Sequence, residues 1–120
     1  MLKLKYSILP GFFLLAGCGP HPGTGIWQAN AVNEYNFTKI EVHFKPEAVI
    51  YTTIKETPKL YCGWSAASKQ NIELECMRSE DKEKIERYYL NTQTNKDNKQ
   101  TAELIFEEKV IATFDQMIDQ

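Results

Sequence analysis

Two runs of alternating apolar and polar residues, separated by a short polar segment, constrain the fold of this chain more than any other feature. Their apolar positions are Leu60, Cys62, Trp64 and Ala66 in the first run and Ile72, Leu74 and Cys76 in the second. A period of two predicts β-strands with one apolar face, because successive side chains of a strand point to opposite sides. Folding the chain about Lys69 brings these positions to one face of an antiparallel hairpin. The predicted pairs are Cys62 with Cys76, Trp64 with Leu74 and Ala66 with Ile72.

The beginning of the chain has the layout of a secretory signal peptide. Lys3 and Lys5 form a short basic region, and an apolar stretch follows at residues 8–15. This stretch is too short to span a bilayer as a helix, which needs about 20 residues. We therefore expect residues 1–17 to be removed during export.

Residues 15–18 read Leu-Ala-Gly-Cys and resemble the lipobox of bacterial lipoproteins. The resemblance implies that diacylglycerol is attached to the Cys18 thiol, that the signal peptide is cleaved before Cys18, and that the new amino terminus is acylated. Two or more acyl chains hold a protein stably on a membrane. Gly19 stands where aspartate marks retention in the inner membrane, which favours the periplasmic side of the outer membrane. Residues 18–25 are then a lipidated Pro/Gly linker, and residues 26–120 form one domain.

The remaining cysteines, Cys62 and Cys76, are predicted to form a disulfide. An exported protein meets an oxidising compartment, and two cysteines without a neighbouring histidine supply half of a tetrahedral zinc shell, so no metal is expected. Directly opposed strand positions bring β-carbons to about 4.5–5.5 Å, so the two residues must form a close, non-hydrogen-bonded pair. Closing a loop of this length stabilises a fold by roughly 3 kcal/mol in the chain-entropy model.

Alternation elsewhere predicts further strands. They are residues 25–29, a strand through Ile40, Val42 and Phe44, and residues 49–55, 85–92, 101–106 and 110–114. The charged segment 78–84 is predicted to be an exposed loop or a helical turn, and residues 91–100 a polar loop. Folding the last two strands about Glu108 pairs Phe106 with Val110, Leu104 with Ala112 and Ala102 with Phe114.

About eight strands with short connections predict an all-β fold with antiparallel neighbours. Closing such a sheet on itself buries its apolar face and removes both edges. We therefore expect an eight-stranded up-and-down barrel, with a two-sheet sandwich as the alternative.

Gly25-x-Trp27 followed by a β-meander resembles the first strand of lipocalin-like barrels. The overall plan is also similar to small barrel lipoproteins that inhibit c-type lysozyme, which share a lipobox and a disulfide. The inhibitory Ser-Gly-x-x-Tyr signature of those proteins does not occur in this sequence. The resemblance is therefore one of architecture, and a fold alone does not give a function.

Little in the sequence points to catalysis. The two histidines, His21 in the linker and His43 on a polar strand face, are expected to be solvated side chains. No phosphate-binding glycine loop, metal-ligand spacing or nucleotide motif is present, so neither an enzyme nor a cofactor is expected. Sixteen acidic against fourteen basic residues give a net charge of −2, which disfavours nucleic-acid binding.

Aromatic residues are the candidate contacts for a ligand or a partner, namely Trp27, Trp64, Tyr61, Tyr88 and Tyr89. Trp27 and Trp64 are expected either to fill the barrel or to line a cavity, since an eight-stranded barrel holds at most one small ligand. Tyr88 and Tyr89 must face opposite ways, and exposed tyrosine is typical of protein interfaces. Three functions follow: binding of another envelope protein, transport of a small apolar ligand, and a structural or stress-related envelope role.

Overall fold

A computed structural model describes residues 20–78 and 81–117 of the chain. The eight strands in these ranges are β1 (Gly25–Ala29), β2 (Phe37–Val42), β3 (Glu47–Thr52), β4 (Lys59–Ala66), β5 (Asn71–Arg78), β6 (Asp81–Thr94), β7 (Gln100–Phe106) and β8 (Lys109–Gln116). Each strand pairs antiparallel with the next, and β8 pairs with β1 to close the ring. The predicted all-β, up-and-down barrel is confirmed, and the sandwich alternative is wrong.

The β4–β5 hairpin has the predicted register throughout. Cys62 lies opposite Cys76, Trp64 opposite Leu74 and Ala66 opposite Ile72. Cys62 and Cys76 form a disulfide, and their α-carbons are 4.0 Å apart. So short a separation is typical of the close, non-hydrogen-bonded type of pair. The predicted disulfide is therefore confirmed, and it lies on the inner side of the barrel wall.

The β7–β8 hairpin is predicted correctly except near its turn. Leu104 pairs with Ala112 and Ala102 with Phe114, as expected. Beyond Leu104 the register shifts, so that the pairs nearest the turn are Ile105 with Val110 and Phe106 with Lys109. The expected pairing of Phe106 with Val110 is wrong.

The reason for the shift is the length of the turn. Glu107 and Glu108 alone connect the strands, and both have positive φ angles, 51° and 69°. Two left-handed residues in a two-residue connection match a type I′ turn, whose twist suits an antiparallel hairpin. Ile111 is then the extra residue on β8 that absorbs the register shift.

Several strand limits differ from the predicted ones. Phe44 lies beyond the end of β2, in the turn to β3, and its side chain is exposed. Of the segment 78–84, predicted to be a loop or helical turn, the described residues are in strands, since β5 runs to Arg78 and β6 begins at Asp81; residues 79–80 lie outside the described residues. β6 also continues to Thr94, which shortens the predicted polar loop 91–100 to residues 95–99.

The barrel interior is filled with apolar side chains. The largest that are fully buried are Trp27, Tyr88, Phe114, Ile40, Ile50, Leu60, Ile72, Leu74, Leu90 and Leu104. They come from all eight strands, so the core belongs to the whole ring. Burial of apolar surface at about 25 cal/mol per Å² is the main stabilising contribution in a domain of this size.

Up-and-down topology places alternate turns at opposite ends of the barrel. The N-terminal end consists of the turns 43–46, 67–70 and 95–99 together with the entering segment 20–24. The distal end consists of the described turns 30–36, 53–58 and 107–108.

Candidate interaction surface

The five aromatic residues singled out in the sequence fall into different environments. Trp27 and Tyr88 point into the barrel and are fully buried, and Trp64 is half-buried against the core. Tyr61 and Tyr89 lie on the outer surface, with 51% and 42% of their area exposed. Tyr88 and Tyr89 therefore face opposite ways, as expected from strand alternation.

An aromatic cluster occupies the barrel interior towards the distal end. The ring centroids of Tyr88 and Phe106 are 4.8 Å apart, and those of Phe37 and Tyr88 are 5.9 Å apart. Tyr35 from the β1–β2 turn adds a further ring, 6.0 Å from Phe106. The Tyr88 hydroxyl donates a hydrogen bond of 2.9 Å to the carboxylate of Glu86. These contacts fill this part of the barrel with packed rings, and the hydrogen bond gives the buried phenol hydroxyl a partner.

The N-terminal end is closed by the segment that enters β1. The indole N–H of Trp27 donates to the Gly23 carbonyl at 2.9 Å. A Cβ on Gly23 would lie 3.1 Å from the Ile72 side chain, so glycine permits this close approach. Residues 20–24, expected to be a linker, are thus packed against the barrel.

His21, expected to be solvated, fixes the same segment to the β4–β5 turn. Its Nδ1 accepts from the Gly23 amide at 2.9 Å, and its Nε2 lies 2.7 Å from the Ser68 carbonyl. This pattern assigns the Nε2–H tautomer, because the carbonyl requires a donor. The ring also lies 6.1 Å from that of Trp64. His43 is exposed, as expected, but it lies in the β2–β3 turn and not on a strand face.

An apolar row on the outer surface crosses three strands. Tyr61 on β4 is directly opposite Met77 on β5, and Met77 is opposite Ile85 on β6. Met77 is 39% exposed and Ile85 59%. Directly opposed side chains on one sheet face lie within contact distance, so the three form a continuous apolar row.

A charged row lies beside this apolar row. Arg87 Nε lies 3.0 Å from Glu75 Oε2 and 3.4 Å from Glu73 Oε2. The hydrogen bond to Glu75 raises the pKa of the Arg87 guanidinium further above its usual range, so it stays cationic. Beyond this row, Tyr89 is directly opposite Ile105 of β7. Tyr61, Met77, Ile85, Arg87 and Tyr89 are referred to below as the outer wall patch.

A groove of about 610 Å³ runs along the edge of the outer wall patch. Ile85, Arg87 and Tyr89 form one side, and Ile105 and the β7–β8 turn form the other. It is an open surface groove, and none of the inward-facing aromatic residues Trp27, Trp64 and Tyr88 lines it. The patch thus combines apolar side chains, a fixed cation and a concave edge.

Met77 and Ile85 were not identified from the sequence. Met77 belongs to the polar phase of its strand, and Ile85 follows a charged segment. An apolar residue in an otherwise polar phase is the signal that would have found Met77. Cys18 and residues 1–17 lie outside the described residues, so lipidation and the signal peptide remain predictions.

In the part of the chain that the structure describes, no three His, Cys, Asp or Glu side chains are grouped to hold a metal ion. The same residues include no helix with the length and apolar character needed to cross a membrane.

No protein-family model, curated protein or solved structure matches this chain at a significant level.

Proposed function

We propose that this chain is a lipid-anchored protein of the bacterial envelope that binds another envelope protein and does not catalyse a reaction. The lipobox-like residues 15–18 support the anchor, and Gly19, in place of aspartate, supports the periplasmic side of the outer membrane as its location. The composition of the outer wall patch supports the binding role. Inhibitors, immunity and exclusion proteins and accessories of envelope assemblies share this plan of an anchored small binding domain.

The observation that carries the proposal is the apolar row from Tyr61 through Met77 to Ile85 on the outer surface. Tyrosine, methionine and arginine are enriched in the buried centres of protein interfaces, and all three occur in the outer wall patch. Arg87 is held by Glu73 and Glu75, so a partner would meet a preformed charged group. Preorganisation of this kind lowers the entropic cost of binding.

The alternative of a carrier for a small apolar ligand is less well supported. Trp27 is fully buried, and Tyr88 packs against Phe37 and Phe106 in the distal part of the interior. A ligand would have to displace packed side chains, which costs more than filling a preformed cavity. Native mass spectrometry of the purified protein checks this point, because a carrier would retain a bound small molecule.

Site-specific photo-crosslinking in living cells tests the binding proposal. We expect p-benzoylphenylalanine in place of Tyr61 or Tyr89 to form one adduct of defined mass with another envelope protein. The matched control places the same group at Gln28, an exposed residue of β1 on the other side of the ring. Adducts of equal yield at all three positions, or none at Tyr61 and Tyr89, would contradict the proposal. An adduct of twice the chain's own mass would identify a second copy and would also overturn it.

An affinity measurement with the crosslinked partner gives the energetic test. Removing a central aromatic residue from an interface typically weakens binding by at least tenfold. Tyr61→Ala should show this loss, whereas Ile26→Ala, at an exposed residue of β1 on the other side of the ring, should bind as the unsubstituted chain does.

A further inference from the structure

The described turns at the two ends of the barrel carry opposite charge. The turns of the N-terminal end hold four lysines and one aspartate, a net charge of +3. The described turns of the distal end hold one lysine and four glutamates, a net charge of −3. The basic residues are Lys45, Lys69, Lys96 and Lys99, and all are exposed. They come from three separate turns, so the positive charge surrounds the end of the barrel.

An exposed phenylalanine projects from the same end. Phe44 lies in the β2–β3 turn and is 81% exposed. Its turn is fixed from below, because the Trp64 indole N–H donates to the carbonyls of His43 and Lys45 at 2.9 Å each. A large apolar ring is therefore held in solvent beside Lys45 by a defined backbone. Such a pairing of an apolar side chain with surrounding cations is typical of surfaces that bind at a membrane interface.

The entering segment leaves little distance between this end and the lipid. Residues 20–24 are bonded to the barrel through Gly23 and His21, so they do not act as a spacer. Cys18 lies two residues before Pro20, and two residues extend at most about 7 Å. This step rests on the proposed lipidation of Cys18. An acyl chain at that position would hold the N-terminal end at the level of the lipid headgroups.

We propose that the N-terminal end of the barrel docks directly on an anionic bilayer. Phe44 enters the headgroup region, and the lysines of the three turns pair with lipid phosphates. The acidic distal end points away from the membrane, and the outer wall patch stands beside it, accessible to a partner. The anchor and the barrel therefore bind the membrane as one rigid surface.

Depth-dependent fluorescence quenching tests the docking on the full, membrane-attached chain. Phe44→Trp and Val32→Trp place a reporter at the two ends, and both positions are exposed, Val32 to 99%. The proteins are attached to vesicles of brominated phosphatidylcholine, with or without phosphatidylglycerol. Each is compared with the unsubstituted chain, because Trp27 and Trp64 contribute to every signal. We expect added quenching for Phe44→Trp on the anionic vesicles and none for Val32→Trp.

Charge variants test whether the lysines of the N-terminal end cause the docking. Lys45→Gln, Lys69→Gln and Lys99→Gln, combined with Phe44→Trp, should each weaken docking about fivefold, since one cation near an anionic surface contributes a comparable amount. The matched controls are Lys55→Gln, Lys84→Gln and Lys109→Gln, each likewise combined with Phe44→Trp, which change the total charge equally but away from the N-terminal end. They should leave the quenching unchanged.

Two results would overturn the docking proposal. One is equal quenching of Phe44→Trp and Val32→Trp on anionic vesicles, and the other is quenching of Phe44→Trp that is the same on neutral vesicles. The intact mass of the vesicle-bound chain reports lipidation of Cys18 separately. A lipidated chain without added quenching would refute docking alone, whereas an unlipidated chain would refute the proposed anchor.

Discussion

The β4–β5 and β7–β8 hairpins fix the register of their two strands in different ways. Both are short antiparallel pairs with an apolar inner face. The first keeps one register along its length and is crosslinked between Cys62 and Cys76. The second has a tight turn of two glutamates with positive φ, and a shift after Leu104 restores the pairing. One hairpin is held by a covalent bond in its middle, and the other by the geometry of its turn.

The difference shows which information specifies a register. In β4–β5 the apolar pattern and the crosslink agree, so any slip would separate the cysteines and turn the apolar face outwards. In β7–β8 the pattern alone would allow Phe106 to face Val110. The turn decides otherwise, because a two-residue connection brings Phe106 opposite Lys109.

The largest change in the free energy of unfolding is expected when the covalent constraint is removed from the first hairpin. Cys62→Ala combined with Cys76→Ala should lower the free energy of unfolding by about 3 kcal/mol, the contribution of a disulfide that closes a loop of this size. Urea unfolding of this variant and of the unsubstituted chain in reductant should give similar midpoints. Two free thiols in the unreduced native protein would contradict the disulfide itself.

A smaller change in the free energy of unfolding, of opposite sign, is expected at the second hairpin. Glu107→Asn with Glu108→Gly should raise the free energy of unfolding by about 1 kcal/mol, because asparagine and glycine adopt positive φ more readily than glutamate. Thermal unfolding measures the gain. The control Glu107→Gln with Glu108→Gln removes the charges but keeps the backbone requirement. An equal gain in the control would show that charge repulsion, and not backbone conformation, limits this turn.

The smallest effect on stability is expected from Tyr51 of β3. This residue lies beside the first hairpin, opposite Lys59 of β4. Burial, followed by the hydrogen bond that its hydroxyl donates to Glu41, raises the pKa of Tyr51 above the ordinary value of 10.0. A raised pKa in the folded state means that the unfolded chain releases this proton first. The contribution is therefore complete below pH 10 and is lost as the pH rises through the folded-state pKa. Unfolding midpoints at increasing alkaline pH should fall less steeply for Tyr51→Phe, and parallel curves would contradict this role.

Most of the fold could be predicted from the sequence because inward-facing positions of a barrel must be apolar. That requirement placed Cys62 opposite Cys76 and Leu104 opposite Ala112 correctly. It failed where backbone pairing continues without an apolar signal, as at the start of β6, where β5 and β6 extend into a charged segment. It also assigned Phe44 to a strand, although the chain has already turned there towards Pro46.

The surface was harder to predict than the core. Residue type alone predicts Tyr61 and Tyr89 as contacts, but it also predicts Tyr88, which is buried in the barrel. Met77 and Ile85 required the register of three neighbouring strands, since only that register places them beside Tyr61. The opposite charges of the two ends likewise depend on which turns share an end, and topology determines this.

The pairing of the last strand with the first has a consequence for how the protein is made. The Gln116 side chain donates to the Thr24 carbonyl across 92 residues of sequence, and β8 pairs with β1 at the same place. A chain that emerges amino end first cannot complete this seam until nearly all of it has been delivered. Until then it is a curved sheet with two open edges, able to pair with a neighbouring chain. A premature stop before β8 would therefore yield an aggregating product, and not a smaller barrel.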